Sequence, residues 1–131
     1  MKRILIIFGS IISLVGILCV LFLYSWIGDG VKESIAIAKE KYPGNAEDAL
    51  IAFLLDEKIP ARDRTHTAIW TLGQIKSEKA LPLLREFYKN DPEGKSCYGK
   101  HNEYLCQYEI YKAIAAIENN RLFSYARLRT R

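Results

Sequence analysis

Side chains able to ligate or attack gather in one short stretch, "CYGKHNEYLC", from Cys97 to Cys106. Its spacing offers two chemistries. Two cysteines with eight residues between them read as a disulfide in an oxidising compartment. So small a ring stabilises by about 2–3 kcal/mol, through limits on the unfolded chain. With His101 the same thiols make a Cys-x3-His-x4-Cys metal set, irregular in spacing and without an obvious fourth ligand. The sequence favours the disulfide between Cys97 and Cys106 and assigns no residue to a metal. A Cys-x-x-Cys redox pair is absent. Asp63 and His66 share a helix face and could form an acid–base pair, but no nucleophile accompanies them. Neither a glycine-rich phosphate loop nor a His-Glu-x-x-His helix occurs. The expectation is therefore a non-enzymatic protein without a cofactor, an enzyme built on the His/Cys loop being a minor alternative.

The elements that must position these residues divide sharply by composition. Residues 4–27 contain no charged side chain. As a helix they span about 36 Å, enough for a hydrocarbon core of about 30 Å. Lys2 and Arg3 precede the run, and Tyr24 and Trp26 end it, where amphipathic rings suit a membrane interface. A cleaved signal peptide is the rival, but the run exceeds the usual signal core of about 7–15 residues. The expected organisation is an anchor at 1–27, a juxtamembrane capping helix at 28–45 and a repeat domain at 46–131, with an inserted loop at 91–101. The two leading cations predict a cytoplasmic N-terminus and an extracytoplasmic domain. Only Gly28-Asp29-Gly30 separates span from capping helix, so the domain is expected close to the bilayer. Lys2 and Arg3 are two of 19 basic residues, which leaves the rest near balance against 15 acidic ones. Nucleic acid is not an expected partner.

The fold class read from the soluble part is all-α, since no stretch alternates as a half-buried strand would. Helices are expected at 31–42, 46–57, 61–75, 78–90 and 102–118. Asn45 and Ser77 serve as N-caps, and Pro60 suits a first turn. A repeat is visible. "EDALIAFL" resembles "EKALPLLR" at a spacing of 31, and "AIWTLGQI" matches "IYKAIAAI" at 42. The difference equals the length of the 91–101 insertion. Continued at 42, the tail "NNRLFSYARL" reads as the first helix of a third unit, capped by Asn119. The result is a short α-solenoid of about two and a half hairpins.

At Arg64, Ala68, Leu72-Gly73, Ile75 and Ala80-Leu81 the chain resembles the HEAT family, in particular short bacterial HEAT-like repeats. It departs at Asp63, where a valine is usual, and in the second unit at Cys106 and Ile114-Ala115. The resemblance implies a scaffold that binds proteins, its second helices lining the concave surface.

On a helical wheel Ala61, Thr65, Ala68, Leu72 and Ile75 share the core side of the third helix, opposite Asp63, His66 and Trp70. In the last helix Ile110, Ile114 and Ile117 form the core side, opposite Leu105, Tyr108 and Lys112. With the resemblance, this gives a partner-binding surface of His66, Trp70, Tyr108 and Lys112, rich in hot-spot residue types. The competing reading buries Trp70 under the capping helix or the tail. Tyr104, Tyr108 and Tyr111 recur at helical spacing, with core packing expected and a recognition loop as the alternative. Membrane contacts are expected from Trp26 and, in a lipid-contact or envelope-stress alternative, from Arg127, Arg129 and Arg131.

Overall fold

The computed structural model describes the backbone of residues 2–129 and the side chains of residues 7–119. Among the described residues it contains helices and turns and no strand. The elements are α1 (Lys2–Lys41), α2 (Ala46–Leu55), α3 (Ala61–Asp63), a π-helical segment (Arg64–Ile69), α4 (Trp70–Gln74), α5 (Leu81–Phe87), a 3-10 turn (Lys95–Cys97) and α6 (Gln107–Arg129). The chain divides into two compact units, Met1–Glu33 and Ser34–Arg131.

The first unit is the apolar part of α1. One window of this helix has a mean hydropathy of 2.6, and its side chains lie open to the surroundings. Among the described residues it is the one helix long and apolar enough to cross a membrane, which is compatible with a single-pass anchor. Trp26 is 70% exposed at its far end. Val31 belongs to this unit, whereas Ala38 is buried in the second unit's core with Ile35 and Tyr42 against it.

The second unit is built on short amphipathic helices that bury one face each. α2 starts where Asn45 Oδ1 accepts the Asp48 N–H at 2.8 Å and Asn45 Nδ2 donates to Asp48 Oδ2 at 2.8 Å. This cap satisfies one of the free N–H groups of the first turn. Leu50, Leu54, Leu72, Leu84, Ile110 and Ile117 are fully buried in one core. Each such side chain contributes about 1.5–3 kcal/mol by leaving water.

The repeat has a physical signature in the pairing of equivalent positions. Asp48 forms an ion pair with Lys79, its counterpart one repeat later, and the Ser77 hydroxyl donates to Glu47. The N-terminal end of α2 is thus tied to the turn that leads into α5. Arg64, at the arginine position of the repeat, reaches back with Nη1 to the Leu54 carbonyl at 3.3 Å and satisfies the end of α2. Ser77 Oγ accepts the Ala80 N–H at 3.1 Å ahead of α5.

The second helices approach closely. A Cβ placed on Gly73 would lie 2.9 Å from Ala113 Cα and 3.0 Å from its Cβ. The glycine of the Leu-Gly pair is thus what lets α4 and α6 touch backbone to side chain.

Several expectations are corrected. Ile75, placed on the core side by the wheel, is 37% exposed. The helix has already closed, with the Ser77 N–H on the Leu72 carbonyl at 3.0 Å and the Lys76 N–H on that of Gly73 at 3.2 Å. This is a Schellman motif with Lys76 at φ +54°, so Ile75 leaves the wheel. Leu105, placed opposite the core, packs against it, because it precedes α6 instead of lying on the helix. The break at Asn119 does not occur. α6 runs on to Arg129, and no proline or glycine lies in residues 107–129 to end it. Residues 64–69 also depart from ideal α geometry, as the π-helical segment shows.

Candidate functional site

The site grows from Thr65, a buried residue inside the π-helical segment. Its hydroxyl donates to the Ala61 carbonyl at 2.8 Å and accepts the Cys106 N–H at 3.2 Å. A hydroxyl that takes the carbonyl four residues back competes with the helix ladder. Here the ladder widens, and the Trp70 N–H reaches the Thr65 carbonyl five residues back. The same contact fixes the chain entering α6.

Cys106 is the N-cap of α6, because its carbonyl accepts the Ile110 N–H at 3.1 Å. Burial pushes its thiol above the ordinary value. The backbone N–H groups of Glu109 and Tyr108 oppose that shift. Gln107, also buried, joins the helices. Its Oε1 accepts the Lys89 N–H at 2.7 Å and its Nε2 donates to the Phe87 carbonyl at 3.2 Å. These bonds satisfy groups left free just past α5.

The chain between Phe87 and Gln107 is ordered by its own polar groups. Asp91 accepts the Lys95 N–H at 3.1 Å and the Ser96 N–H at 2.7 Å, and the Ser96 contact is the leading reason its carboxyl lies below the usual range. Gly94 takes φ +67° and lies against α6. A Cβ there would stand 3.1 Å from Tyr108 Cβ and 3.4 Å from Cys97 Sγ. Cys97 is buried, with Sγ 3.2 Å from the Gly94 carbonyl oxygen and 3.3 Å from Cys106 Sγ. The two sulfurs are not bonded to each other in this structure. Two further turns follow, with the Lys100 N–H on the Cys97 carbonyl and the Glu103 and Tyr104 N–H groups on the Lys100 carbonyl, all at 3.0 Å. They carry His101 back to the cysteines. One ligand atom each from Cys97, His101 and Cys106 lies within 4.8 Å of the others.

A cavity of about 520 Å³ opens beside this cluster. His101, Cys106, His66, Thr65, Arg62 and Glu109 are among its lining residues. A smaller one of about 80 Å³ lies along the helix pair and is lined by Trp70, Gly73, Lys112 and again Glu109.

The structure distributes the four surface residues expected from sequence as follows. Trp70 is half-buried and shares the small cavity with Lys112. Lys112 Nζ lies 4.5 Å from the Tyr108 ring centre and 2.7 Å from Glu109 Oε1. His66 is exposed and lines the larger cavity with Glu109. Glu109 therefore links the two cavities. The sequence reading missed it, though it stands in the first turn of α6 three residues before Lys112. Asp63 lines a different depression from His66. The tyrosines do not enter the core: Tyr104, Tyr108 and Tyr111 are each close to half exposed. Tyr111 stacks loosely on Tyr88 at 6.2 Å. The side chains of Arg127, Arg129 and Arg131 lie outside the described residues.

Residues 66–90 match the family model of the PBS lyase HEAT-like repeat. The chain is thus an all-helical protein carrying a HEAT-like repeat of the kind that builds helical scaffolds. The matched segment runs from His66 through the Leu72-Gly73 pair to the end of α5 and its exit turn. Comparison with curated proteins and with solved structures gives no match.

Proposed function

We propose that this protein is a non-enzymatic, membrane-anchored helical-repeat scaffold whose 46–131 domain binds a protein partner on the extracytoplasmic side. The observation that carries the reading is the grouping of Trp70, Lys112 and Tyr108, with His66 next along through Glu109. A half-buried tryptophan and an exposed tyrosine beside one ion pair supply rigid apolar area with a polar rim, the composition of interface hot spots. The apolar run of α1 supports the anchor, and the cations before it support the orientation.

The test is recovery of partners with the full chain in mild detergent. Trp70→Ala and Tyr108→Ala are expected to abolish recovery of a stoichiometric protein while changing the melting temperature little. A large loss of stability in Trp70→Ala, with recovery by Tyr108→Ala unchanged, would reject the surface. Labelling of Cys106 in intact cells by an impermeant maleimide after reduction tests the orientation.

A further inference from the structure

We infer that Cys97, His101 and Cys106 form a binding site for a single Zn2+-class cation, with one coordination position open to the 520 Å³ cavity. This goes beyond the scaffold reading and stands or falls separately from it.

The donor set selects the metal. Two thiolates and an imidazole suit Zn2+, whereas Mg2+ and Ca2+ take oxygen ligands, which none of the three residues offers. The spacing agrees. Around a tetrahedral Zn2+ with bonds of about 2.3 Å to sulfur and about 2.0 Å to nitrogen, ligand atoms lie about 3.5–3.8 Å apart. The three atoms here all lie within 4.8 Å, and the two sulfurs are 3.3 Å apart. Small side-chain movements bring them onto one ion.

The backbone holds the set. Cys97 is fixed by the 3-10 turn and the left-handed Gly94, and Cys106 by its N-cap position and the Thr65 hydroxyl. His101 is returned to them by the turns at Lys100, and the next residue is tied down through its carbonyl, which accepts the Ala61 N–H at 3.2 Å. A disulfide between the cysteines would make no use of the imidazole so placed. Among the described residues no fourth His, Cys, Asp or Glu joins the group. Three protein ligands and an accessible fourth position is the pattern of a site that holds water or accepts a donor from a docked molecule. Here that position faces the cavity lined by His66 and Glu109, which share it with His101 and Cys106.

The experiment is Co2+ titration of the purified, detergent-solubilised full chain, reduced with a phosphine, followed by Zn2+ competition. The expected result is one Co2+ per chain, with thiolate-to-cobalt charge-transfer absorption that Zn2+ abolishes. Cys97→Ser and Cys106→Ser are expected to lose at least half of that absorption, and His101→Gln, which removes a direct ligand, to weaken affinity by at least the roughly hundredfold that loss of an outer-shell partner can cost. Absence of binding by the reduced wild-type chain overturns the proposal without appeal to any variant, and points to a plain disulfide pair. Unchanged affinity in His101→Gln, with circular dichroism showing native helicity, overturns it as well.

Discussion

The two second helices of the repeats occupy equivalent places and solve different problems. Residues 61–74 form a rod interrupted by a π-helical segment, and α6 is a regular helix of 23 residues. They meet where the rod carries a glycine and α6 an alanine. Along that seam small and aliphatic side chains decide the geometry. At the other end, where Thr65 meets Cys106, one hydroxyl decides it. The seam is thus shaped by volume and the cavity end by hydrogen bonding. Apolar repeats tolerate a polar insertion because the insertion carries its own hydrogen-bond partners.

The contrast can be broken first at the core. Leu72→Ala removes a fully buried side chain from the centre of the seam and is expected to cost about 2–5 kcal/mol in chemical denaturation. Gly73→Ala probes the close approach itself. Alanine favours a helix by about 1 kcal/mol over glycine, but its Cβ would fall 2.9 Å from Ala113 Cα, and overpacking costs about 1–3 kcal/mol. Net destabilisation is expected. A stabilised variant would show that the helices have room to move apart.

The cavity end offers a smaller effect. Gly94→Ala places a side chain at φ +67° and against Tyr108, with an expected loss of about 1–2 kcal/mol. It should also disturb the position of Cys97, read as altered thiol reactivity.

The smallest effect is expected outside both regions, at Asp56 just past α2. The Tyr42 hydroxyl, and then the Lys41 ammonium at 3.0 Å, hold the Asp56 carboxyl well below the usual carboxylate range. A depressed folded-state value stabilises fully above the unfolded value of about 4 and is lost as pH falls through the folded one. Asp56→Asn is therefore expected to flatten the acid limb of a melting-temperature profile and to leave its shape from pH 5 to neutrality unchanged. A steep acid limb in the variant would assign acid sensitivity to other carboxylates.

Much of the scaffold was legible in the sequence because it depends on local rules. Both Asn45 and Ser77 bond over three residues as their types predict, Asn45 as the cap of α2 and Ser77 on the turn ahead of α5, which starts at Leu81 and not at residue 78. Ala61, Thr65, Ala68 and Leu72 fall on the buried face that their spacing of three and four requires. The pairing of Asp48 with Lys79 follows from the 31-residue repeat. The wheel failed at Ile75, where the helix ends, because a wheel carries no information about where a helix stops. The expectation of core packing from the tyrosine spacing failed as well: Tyr104, Tyr108 and Tyr111 stay close to half exposed, and for Tyr108 the wheel, which put it opposite the core, was the better guide.

By itself, then, the sequence determined what short-range chemistry decides: the apolar run, the helical class, the caps and the repeat with its Leu-Gly pair. The tertiary structure decided what depends on atoms distant along the chain. Thr65 meets Cys106 across 41 residues, Gly73 meets Ala113, and Glu109 serves two cavities at once. The Cys97, His101 and Cys106 set lies between these cases. Its residue types are plain in the sequence, but their approach to within 4.8 Å of one another is a property of the folded loop, whose Asn102 carbonyl accepts the Ala61 N–H at the start of α3.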